Sequence, residues 1–355
     1  MRKVPLSVLI AIFVLTFYSL SALYVINAEK FFLRQIVYTT IGIIFLFIVS
    51  SINFRVLKYY TVLLYVVTFI LLISVFLIGV ITNGARRWIN LFGLFSIQPS
   101  EFAKITLILM LIWIFEGKYT NFKKFVFGLI SIIPFALVVF FQPDMGTSLV
   151  YAFIFFIFIA FFLPLKYSLS IIAGAVAMIP FLPKILKPYQ IERILTFFNP
   201  YRDPLGSGYN VLQSMIAFGS GRLSGNGFQK SLMTRLGFVP VQYADFIFSA
   251  IGEIWGFIGV IIILFSFLYL FYFIVRSIAL TGNKLGKGIA LGVFAMFLFQ
   301  VSVNMGMNIG IMPVTGIPLP FLSFGGSSTI TNFIALGLVV SVYNFKDELS
   351  YGERL

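Results

Sequence analysis

The sequence predicts an all-α polytopic membrane protein with about ten transmembrane helices and one large extracytoplasmic loop between spans seven and eight. Of its 355 residues, 60% are hydrophobic and only 10% are charged. One soluble core cannot enclose so much apolar side chain, so lipid must be the main solvent. Apolar runs long enough for one crossing recur along the chain, and the only long stretch without one lies near 184–245.

The apolar runs are candidate spans. The first is too long for the hydrophobic part of a signal peptide, and no small-residue cleavage site follows it, so we expect it to be retained. The fourth is short and carries Lys104, and the eighth is long enough to tilt or to project beyond the bilayer. The candidate spans are 6–26, 35–52, 60–81, 101–115, 125–141, 147–163, 167–183, 246–275, 288–311 and 328–343.

The Lys and Arg residues of the short loops predict the orientation. With a cytoplasmic N-terminus, thirteen of them fall at the inner face and four in short outer loops. Because positive residues concentrate in cytoplasmic loops, both termini are predicted to be cytoplasmic. The net charge of +14 is then explained mainly by orientation and lipid headgroups, and we expect no nucleic-acid partner.

The segment 184–245 is predicted to lie outside the membrane on the outer face. It is too long to be a structureless connection. Apolar residues recur in it at helical spacing, which predicts a short helix lying in the membrane interface. These residues are Tyr209, Leu212, Met215, Ile216 and Gly219. No repeat or inter-domain linker is evident, so residues 1–355 are predicted to form a single integral membrane domain.

The chain contains neither cysteine nor histidine. This excludes disulfides, thiolate nucleophiles, imidazole bases and the usual zinc ligands. Acid and base chemistry must therefore come from carboxylates or lysines.

Five of the eleven acidic residues lie at or inside predicted outer membrane boundaries, in stretches rich in Gly, Pro, Gln or Asn. Ionisable groups in a membrane are costly, so such a set is a functional hypothesis, and we expect the five to converge on one face. The alternative for each is a structural role, pairing with a cation or capping a helix. The five are Glu101, Asp144, Asp203, Asp245 and Glu253.

Asp245 is the strongest candidate for a general base. It stands where the outer loop enters span eight and is followed directly by Phe246, Ile247 and Phe248. Apolar surroundings raise the pKa of a carboxyl group towards the range useful for a base. The alternative is that Asp245 is the N-cap of the following helix. Glu253 lies a little over two turns further and is expected to pair with a buried lysine such as Lys104.

The uncharged segment between spans nine and ten is irregular. From Gly310 to Ser328 it contains three prolines and four glycines. Backbone of this kind at membrane depth must be buried in protein or line a cavity.

Five segments, in order, resemble the SEDS family, which contains the RodA, FtsW and SpoVE types, and ten spans also match it. The segments are GARRWINLFGLFSIQPSEFAK (84–104), QPDMGTS (142–148), NPYRDPLGSGYNVLQSMIAFGSGRLSGNG (199–227), ADFIFSAIGEIWGFIG (244–259) and NMGMNIGIMPVTGIPLPFLSFGGSS (304–328). The spacing over 228–240 is most like the RodA type.

The resemblance implies a peptidoglycan glycosyltransferase in the cytoplasmic (inner) membrane of a bacterium. Its substrates would be lipid II as acceptor and a glycan on undecaprenyl pyrophosphate as donor, and its partner a class B penicillin-binding protein. Asp245 matches the family's essential aspartate. Substrate-binding roles are implied for Trp88, Glu101, Lys104, Asp144 and Gln213, and Glu253 joins them as a candidate.

The chemistry implied needs only one carboxylate base, because a glycosyl pyrophosphate already has a good leaving group. No cofactor is specified by the sequence, although a divalent cation, Mg²⁺ or Mn²⁺, would suit the pyrophosphate. The chain departs from the family pattern at Val241 and Ala244, where a Glu and a Thr are usual. The departure at 241 removes a group that would position the loop or bind a cation.

Three other functions fit the same residues. A lipid II flippase would use intramembrane Lys104 and Glu253 and the broken, glycine-rich segments. A noncatalytic activator of the penicillin-binding protein would tolerate substitution of Asp245. A division enzyme of the FtsW type would share the chemistry but not the cellular role.

Overall fold

The structure, a computed structural model, describes residues 4–26, 29–82, 85–91, 95–206 and 208–346. Three of the basic residues used to predict orientation, Arg2, Lys3 and Arg354, lie outside these ranges. The described residues are mainly helical, which confirms the fold class.

The chain begins with three long helices, α1 (Leu6–Val25), α2 (Glu29–Ser51) and α3 (Leu57–Ile78), the last preceded by a 3₁₀ turn at Phe54–Val56. After Gly79 it forms a three-stranded antiparallel sheet, β1 (Val80–Thr82), β2 (Ala85–Leu91) and β3 (Phe95–Ile97), in the order β1-β2-β3. The sheet is a departure from the all-α expectation. Two of its strands have three residues each, too few to show the alternation that identifies a strand in sequence.

Helix α4 (Pro99–Glu116) corresponds to the predicted fourth span. It begins at Pro99, a residue that suits the first turn because its missing N–H would have no partner there. Nearly all of its 18 residues are buried, including Glu101 and Lys104. It therefore lies inside the bundle rather than against lipid.

Three helices follow, α5 (Asn121–Phe141), α6 (Met145–Phe162) and α7 (Leu165–Met178). The predicted seventh span continues past α7 through a 3₁₀ turn at Ile179–Phe181 into α8 (Leu182–Ile185). Pro180 and Pro183 lie in this part and remove backbone donors that a continuous helix would need.

The predicted outer segment contains four helices, α9 (Pro188–Phe198), α10 (Tyr209–Ser220), α11 (Gly227–Lys230) and α12 (Leu232–Arg235). Helix α10 confirms the short helix predicted there. Its buried residues are Val211, Ser214 and Ala217, while Met215 and Ile216 are exposed. This helix packs against the next two long helices through the small residues.

The last three helices are α13 (Ile247–Leu280), α14 (Lys284–Asn308) and α15 (Gly326–Asn344). Helix α13 is broken at Gly256, where φ is 63° and ψ is −165°. The unusual length of the predicted eighth span thus reflects two helical segments in series.

Among the described residues, nine helices are long and apolar enough to cross a membrane. Helix α4 is not one of the nine, since its 18 residues include three charged side chains, Glu101, Lys104 and Glu116. Its place as a tenth span stays a prediction. In α14 and α15, 78% of the residues of the apolar window are buried, so these two helices lie at the centre of the bundle. In the span containing α7 only 6% are buried, so this span lies at the edge.

Glycines let the central helices approach closely. A Cβ at Gly288 of α14 would lie 2.2 Å from an Ile112 atom, and one at Gly292 would lie 2.5 Å from Ile108. Larger residues here would push α14 away from α4, which would displace the outer end of α14 near the candidate site.

Candidate active site

Asp245 lies in the turn that leads into α13. The N-cap of α13 is Phe246, and no side chain makes a capping hydrogen bond there. The alternative that Asp245 caps the helix is therefore wrong. Phe246, Ile247 and Phe248 are all buried, while Asp245 itself is partly exposed.

The backbone on both sides of this carboxylate is fixed by three consecutive carbonyl groups. The Tyr243 oxygen accepts from the Phe324 N–H at 3.0 Å, and the Ala244 oxygen accepts from the Ser323 hydroxyl at 2.6 Å. The Asp245 oxygen accepts from the side-chain amides of Asn304 at 3.0 Å and Asn308 at 3.1 Å. The main chain is thus held from two directions, which fixes where the carboxylate points.

The carboxylate of Asp245 itself accepts no hydrogen bond from any described residue. A Cβ added to Gly316 would lie 3.6 Å from its Oδ2, so the glycine leaves open space beside it. Burial raises the pKa of Asp245 to about 6, an effect opposed by the charges of Arg193 and Arg87 and reinforced by Asp144. A carboxylate with such a pKa is ionised at neutral pH yet basic enough to accept a proton.

Asp144 faces Asp245 from the turn before α6. It caps α6 by accepting from the Thr147 N–H at 3.2 Å and the Thr147 hydroxyl at 3.0 Å, and it accepts from Gln98 Nε2 at 3.1 Å. Arg87 Nη1 lies 4.0 Å from its Oδ1. The capping alternative is therefore confirmed for Asp144, although its charge still reaches Asp245.

Arg87, on strand β2, connects the sheet to this turn. Its Nε donates to the Gln142 carbonyl at 3.2 Å, and its Nη2 donates to the Pro143 carbonyl. Trp88 is the next residue on β2, is half-buried, and lies opposite Val80 of β1. The unpredicted sheet thus carries both residues to the N-terminal ends of α4 and α6.

Gln213 is half-buried on α10. Its neighbour Ser214 donates to the Asn308 carbonyl at 2.8 Å, so α10 is attached to the same residue that holds Asp245. No hydrogen bond joins Gln213 or Trp88 to Asp245 in the described part of the chain.

Glu101 and Lys104 pair with each other. Lys104 Nζ lies 2.7 Å from Glu101 Oε2, and both side chains are at most 2% exposed. The pairing alternative is confirmed for Glu101, and the expected pairing of Lys104 with Glu253 is wrong. The two residues are three positions apart on one helix, so their side chains lie on the same face.

Glu253 instead binds the start of α12. Its Oε1 accepts from the Met233 N–H at 3.0 Å, and its Oε2 accepts from the Thr234 N–H at 2.8 Å and the Thr234 hydroxyl at 2.6 Å. These charge-assisted bonds offset the cost of burying the carboxylate at 1% exposure.

The break in α13 is filled by the loop after α10. The N–H groups of Phe257 and Ile258, freed by the break, donate to the carbonyls of Arg222 at 2.9 Å and Leu223 at 3.1 Å. In return, the Asn226 N–H donates to the Glu253 carbonyl at 2.9 Å. Irregular backbone of this kind is stable in a membrane protein because other backbone groups satisfy it.

The five carboxylates expected to converge do not form one cluster. Asp144 lies within electrostatic reach of Asp245, whereas Glu101 and Glu253 are paired elsewhere. Asp203 accepts from the Gly206 N–H at 3.0 Å within its own loop. Glu101, Glu253 and Asp203 thus bind groups close to them in the fold and do not meet on one face.

Among the described residues, no three acidic side chains come together to hold a metal ion. Mg²⁺ usually keeps several waters and uses one or two carboxylates together with substrate phosphates. Asp144, which lies within electrostatic reach of Asp245, would be the protein carboxylate that supports such an ion, since Asp245 is the candidate base.

The segment from Ile309 to Gly325 contains no helix or strand and closes over the site. Ile317, Leu319, Phe321 and Leu322 are all at most 2% exposed. The part from Ile317 onward is therefore buried in protein as expected, whereas Ile311 and Met312 are exposed and residues 310 and 312–314 line a cavity.

Two kinds of site residue were missed from the sequence. Asn304 and Asn308 are buried amides one turn apart at the end of an apolar helix, a pattern that marks buried hydrogen-bonding groups. Arg193, on α9, acts electrostatically on Asp245 and is one of several arginines in the predicted outer segment. No local pattern distinguishes it from them.

A family model described as a cell cycle protein, for the FtsW, RodA and SpoVE types, matches residues 2–348. The peptidoglycan glycosyltransferase RodA of Treponema pallidum is 34% identical, over 90% of both chains. The peptidoglycan glycosyltransferase MrdB of Escherichia coli K12 is 34% identical, over 89% of this chain and 86% of the other. Stage V sporulation protein E of Bacillus subtilis is 35% identical, over 88% and 86%.

Two solved structures share the fold. A chain from a peptidoglycan synthase complex, studied for its coordination of polymerization and crosslinking, superposes with a TM-score of 0.85 and is 27% identical, over 98% of this chain and 100% of the other. The rod shape determining protein RodA of Thermus thermophilus superposes with a TM-score of 0.72 and is 24% identical, over 96% and 97%.

Proposed function

The chain belongs to the FtsW, RodA and SpoVE family of cell cycle proteins, and we propose that it is a peptidoglycan glycosyltransferase in which Asp245 is the general base. Relatives that carry this activity by name match nearly the whole chain. The observation that carries the proposal is the Asp245 carboxylate, which is held through its backbone, accepts no hydrogen bond from any described residue and has a pKa raised to about 6.

The proposed acceptor is lipid II, and the donor is a glycan on undecaprenyl pyrophosphate. Asp245 accepts the proton of the acceptor 4-hydroxyl while the oxygen of that hydroxyl bonds to C1 of the donor sugar. The bond from C1 to the pyrophosphate oxygen breaks, and its electron pair leaves with undecaprenyl pyrophosphate. The proton on Asp245 then passes to solvent, which restores the base.

Other residues act by positioning. Asn304, Asn308 and Ser323 fix the backbone around Asp245. A rigid base in a near-attack geometry lowers the entropic part of the barrier. The pair of Arg87 and Asp144 holds the neighbouring turn.

The remaining predicted residues stabilise the helices around Asp245 or lie where substrate would bind. Glu101 and Lys104 neutralise each other inside α4, and Glu253 anchors α12. Trp88 and Gln213 keep their proposed substrate-binding roles, since both are half-buried at the outer ends of the bundle.

A divalent cation bound by the pyrophosphate of the substrate would supply charge neutralisation there. Asp144 is the acidic residue placed to support it.

The proposed location is the cytoplasmic membrane of a bacterium, with both termini in the cytoplasm and Asp245 near the outer face. The nine apolar helices support the membrane assignment. The proposed partner is a class B penicillin-binding protein, since a related chain at 27% identity belongs to a peptidoglycan synthase complex. We favour the elongation role over the division role because of the RodA-like spacing of residues 228–240.

The deciding experiment is polymerisation of purified lipid II in detergent by the protein with its cognate penicillin-binding protein, whose own active site is blocked. The parent should form glycan strands, and Asp245→Asn should form none while keeping the same elution volume and a thermal midpoint no lower than that of the parent. Equal product from both would remove Asp245 from the mechanism.

The same experiment separates the competing functions. A flippase or a noncatalytic activator gives no glycan from either protein, although the complex forms. A flippase would in addition move lipid II across proteoliposomes, which a transferase acting on the outer face has no need to do.

A further inference from the structure

A cavity of about 230 Å³ opens beside the Asp245 region, between α9, α10 and residues 310–314. Tyr189, Arg193 and Phe197 line it from α9, and Asn210 lines it from α10. Glu192 of α9 also lines the cavity, which therefore presents two aromatic rings, an amide, a carboxylate and a cation in one concave surface.

Arg193 joins this cavity to Asp245. Its Nη1 donates to the Val314 carbonyl at 3.4 Å, and its guanidinium lies 5.7 Å from the centroid of the Tyr189 ring. Two residues beyond Val314 along the chain, Gly316 borders the Asp245 carboxylate. One short segment thus forms a wall of the cavity and of the space beside the base.

Arg193 is the cation near Asp245 that is available to a ligand. Arg87, the other, donates to two carbonyls and pairs with Asp144. Arg193 is exposed and makes a single long hydrogen bond among the described residues. A planar guanidinium has five N–H donors, and the four that remain are suited to bind phosphate oxygens.

The size and lining of the cavity suit one sugar ring. Pockets for drug-sized ligands measure roughly 300–1,000 Å³, so this cavity accepts a smaller group. Aromatic walls with a few polar groups pack against the ring of a sugar and hydrogen-bond its hydroxyls. A sugar here would have its anionic substituent next to Arg193.

We propose that this cavity binds the reacting sugar of the glycosyl donor and that Arg193 binds the pyrophosphate attached to it. The inference rests on the proposed function, because it assigns the donor to one side of Asp245 and leaves the acceptor to approach from the other. As the bond from C1 to the pyrophosphate breaks, charge grows on the pyrophosphate oxygens, where a fixed guanidinium stabilises it.

The two halves of the site can be tested separately by binding in an Asp245→Asn background, where turnover is blocked. The protein with its penicillin-binding protein is placed in nanodiscs and titrated with undecaprenyl pyrophosphate and with a short glycan on undecaprenyl pyrophosphate, which is the donor. Arg193→Gln should weaken binding of undecaprenyl pyrophosphate about tenfold, and Arg193→Lys should weaken it less. Phe197→Ala should weaken binding of the donor glycan but leave undecaprenyl pyrophosphate, which has no sugar, unchanged.

Matched controls lie beside both residues. Arg202 is an exposed arginine of the same loop, and Phe198 is 78% exposed and outside the cavity lining. Arg202→Gln and Phe198→Ala should bind both ligands as the parent does. The inference is overturned if Arg193→Gln behaves like Arg202→Gln, or if Phe197→Ala behaves like Phe198→Ala with the donor glycan.

A pH readout distinguishes a charged role of Arg193 from a merely structural one. The charged and titratable groups that face Asp245 are Arg193 from α9, Arg87 from β2, Asp144 and Tyr243. Loss of the Arg193 charge should shift the acid limb of polymerisation to higher pH, and Arg193→Lys should restore it. If the parent makes no glycan while these binding differences hold, the proposed function fails and the anion site stands.

Discussion

The side-chain amide of Asn304 donates to the main-chain oxygen of Asp245 at 3.0 Å, and it also donates to the Ile317 carbonyl at 2.7 Å. One buried amide therefore ties the candidate base to the segment that closes over it. The bond fixes Asp245 through its backbone and leaves its carboxylate free for substrate. The predictions below follow from this and from the neighbouring contacts.

Polymerisation should fall as the pH is lowered through about 6, because burial raises the pKa of Asp245 to that value and only the ionised form is a base. Asp144→Asn removes a charge that raises the pKa, so its acid limb should move to lower pH. Asn still caps helices well, so α6 should remain intact. Initial rates between pH 5 and 8 provide the measurement, and identical limbs in the two proteins would contradict the assignment.

Asp245→Asn should be more stable than the parent at neutral pH. The pKa of Asp245 is raised in the folded state, so folding favours the protonated form and the stability of the parent falls as the pH rises from about 4 to about 6. The Asn variant has no such loss. A thermal midpoint of the variant below that of the parent at pH 7.5 would show that the carboxylate is stabilising instead.

Glu253→Gln should lower the thermal midpoint, since one amide oxygen replaces two charged oxygens that accept three hydrogen bonds. The expected loss is about 1–3 kcal/mol in the free energy of unfolding. Glu29→Gln, at an exposed position in the first turn of α2, is the control and should leave the midpoint unchanged. Equal midpoints in all three proteins would mean that α12 is not anchored by Glu253.

Gly256→Ala should destabilise the protein by more than about 2 kcal/mol. Its φ of 63° disfavours any side chain, and the added Cβ would lie 2.2 Å from the Gly225 nitrogen. Gly174→Ala is the matched control, because a Cβ there meets nothing within 4 Å. Thermal unfolding in detergent should show a loss for the first and no loss for the second; similar midpoints would mean that the break is not required.

Lys104→Met should destabilise by about 3–5 kcal/mol because it leaves the Glu101 charge buried and unpaired. The double variant Glu101→Gln, Lys104→Met should recover most of the stability, and with it the polymerisation rate, if the pair acts by positioning α4. A stable double variant that forms no glycan would instead show that Lys104 acts on the substrate.

The orientation can be mapped directly, because the chain contains no cysteine and every introduced thiol is unique. Arg202→Cys and Lys284→Cys are both at exposed positions, on predicted opposite faces. A membrane-impermeant maleimide should label Arg202→Cys in intact cells and Lys284→Cys only after permeabilisation. The reverse pattern would invert the predicted topology.

The candidate site is formed by residues far apart in sequence, so their contacts could not be predicted from the sequence alone. Lys104 was given a distant partner, but the side chain three residues earlier on its own helix reaches it first. Glu253 was grouped with Asp245 because both lie near the start of α13, yet it turns towards α12. The sheet over 80–97 was missed because its outer strands are too short to show a period.

The sequence by itself determined the solvent of the protein, the positions of its long helices and the identity of the candidate base. These follow from local composition, since an apolar run must be buried in lipid or protein, and an acid beside such a run must have a reason to be there. Only the tertiary structure decided which of the candidate carboxylates form hydrogen bonds or ion pairs within the protein. It also decided that the Asp245 carboxylate accepts no hydrogen bond from the described residues. That choice depends on distances between elements such as α9, α14 and the 309–325 segment, and no local pattern records those distances.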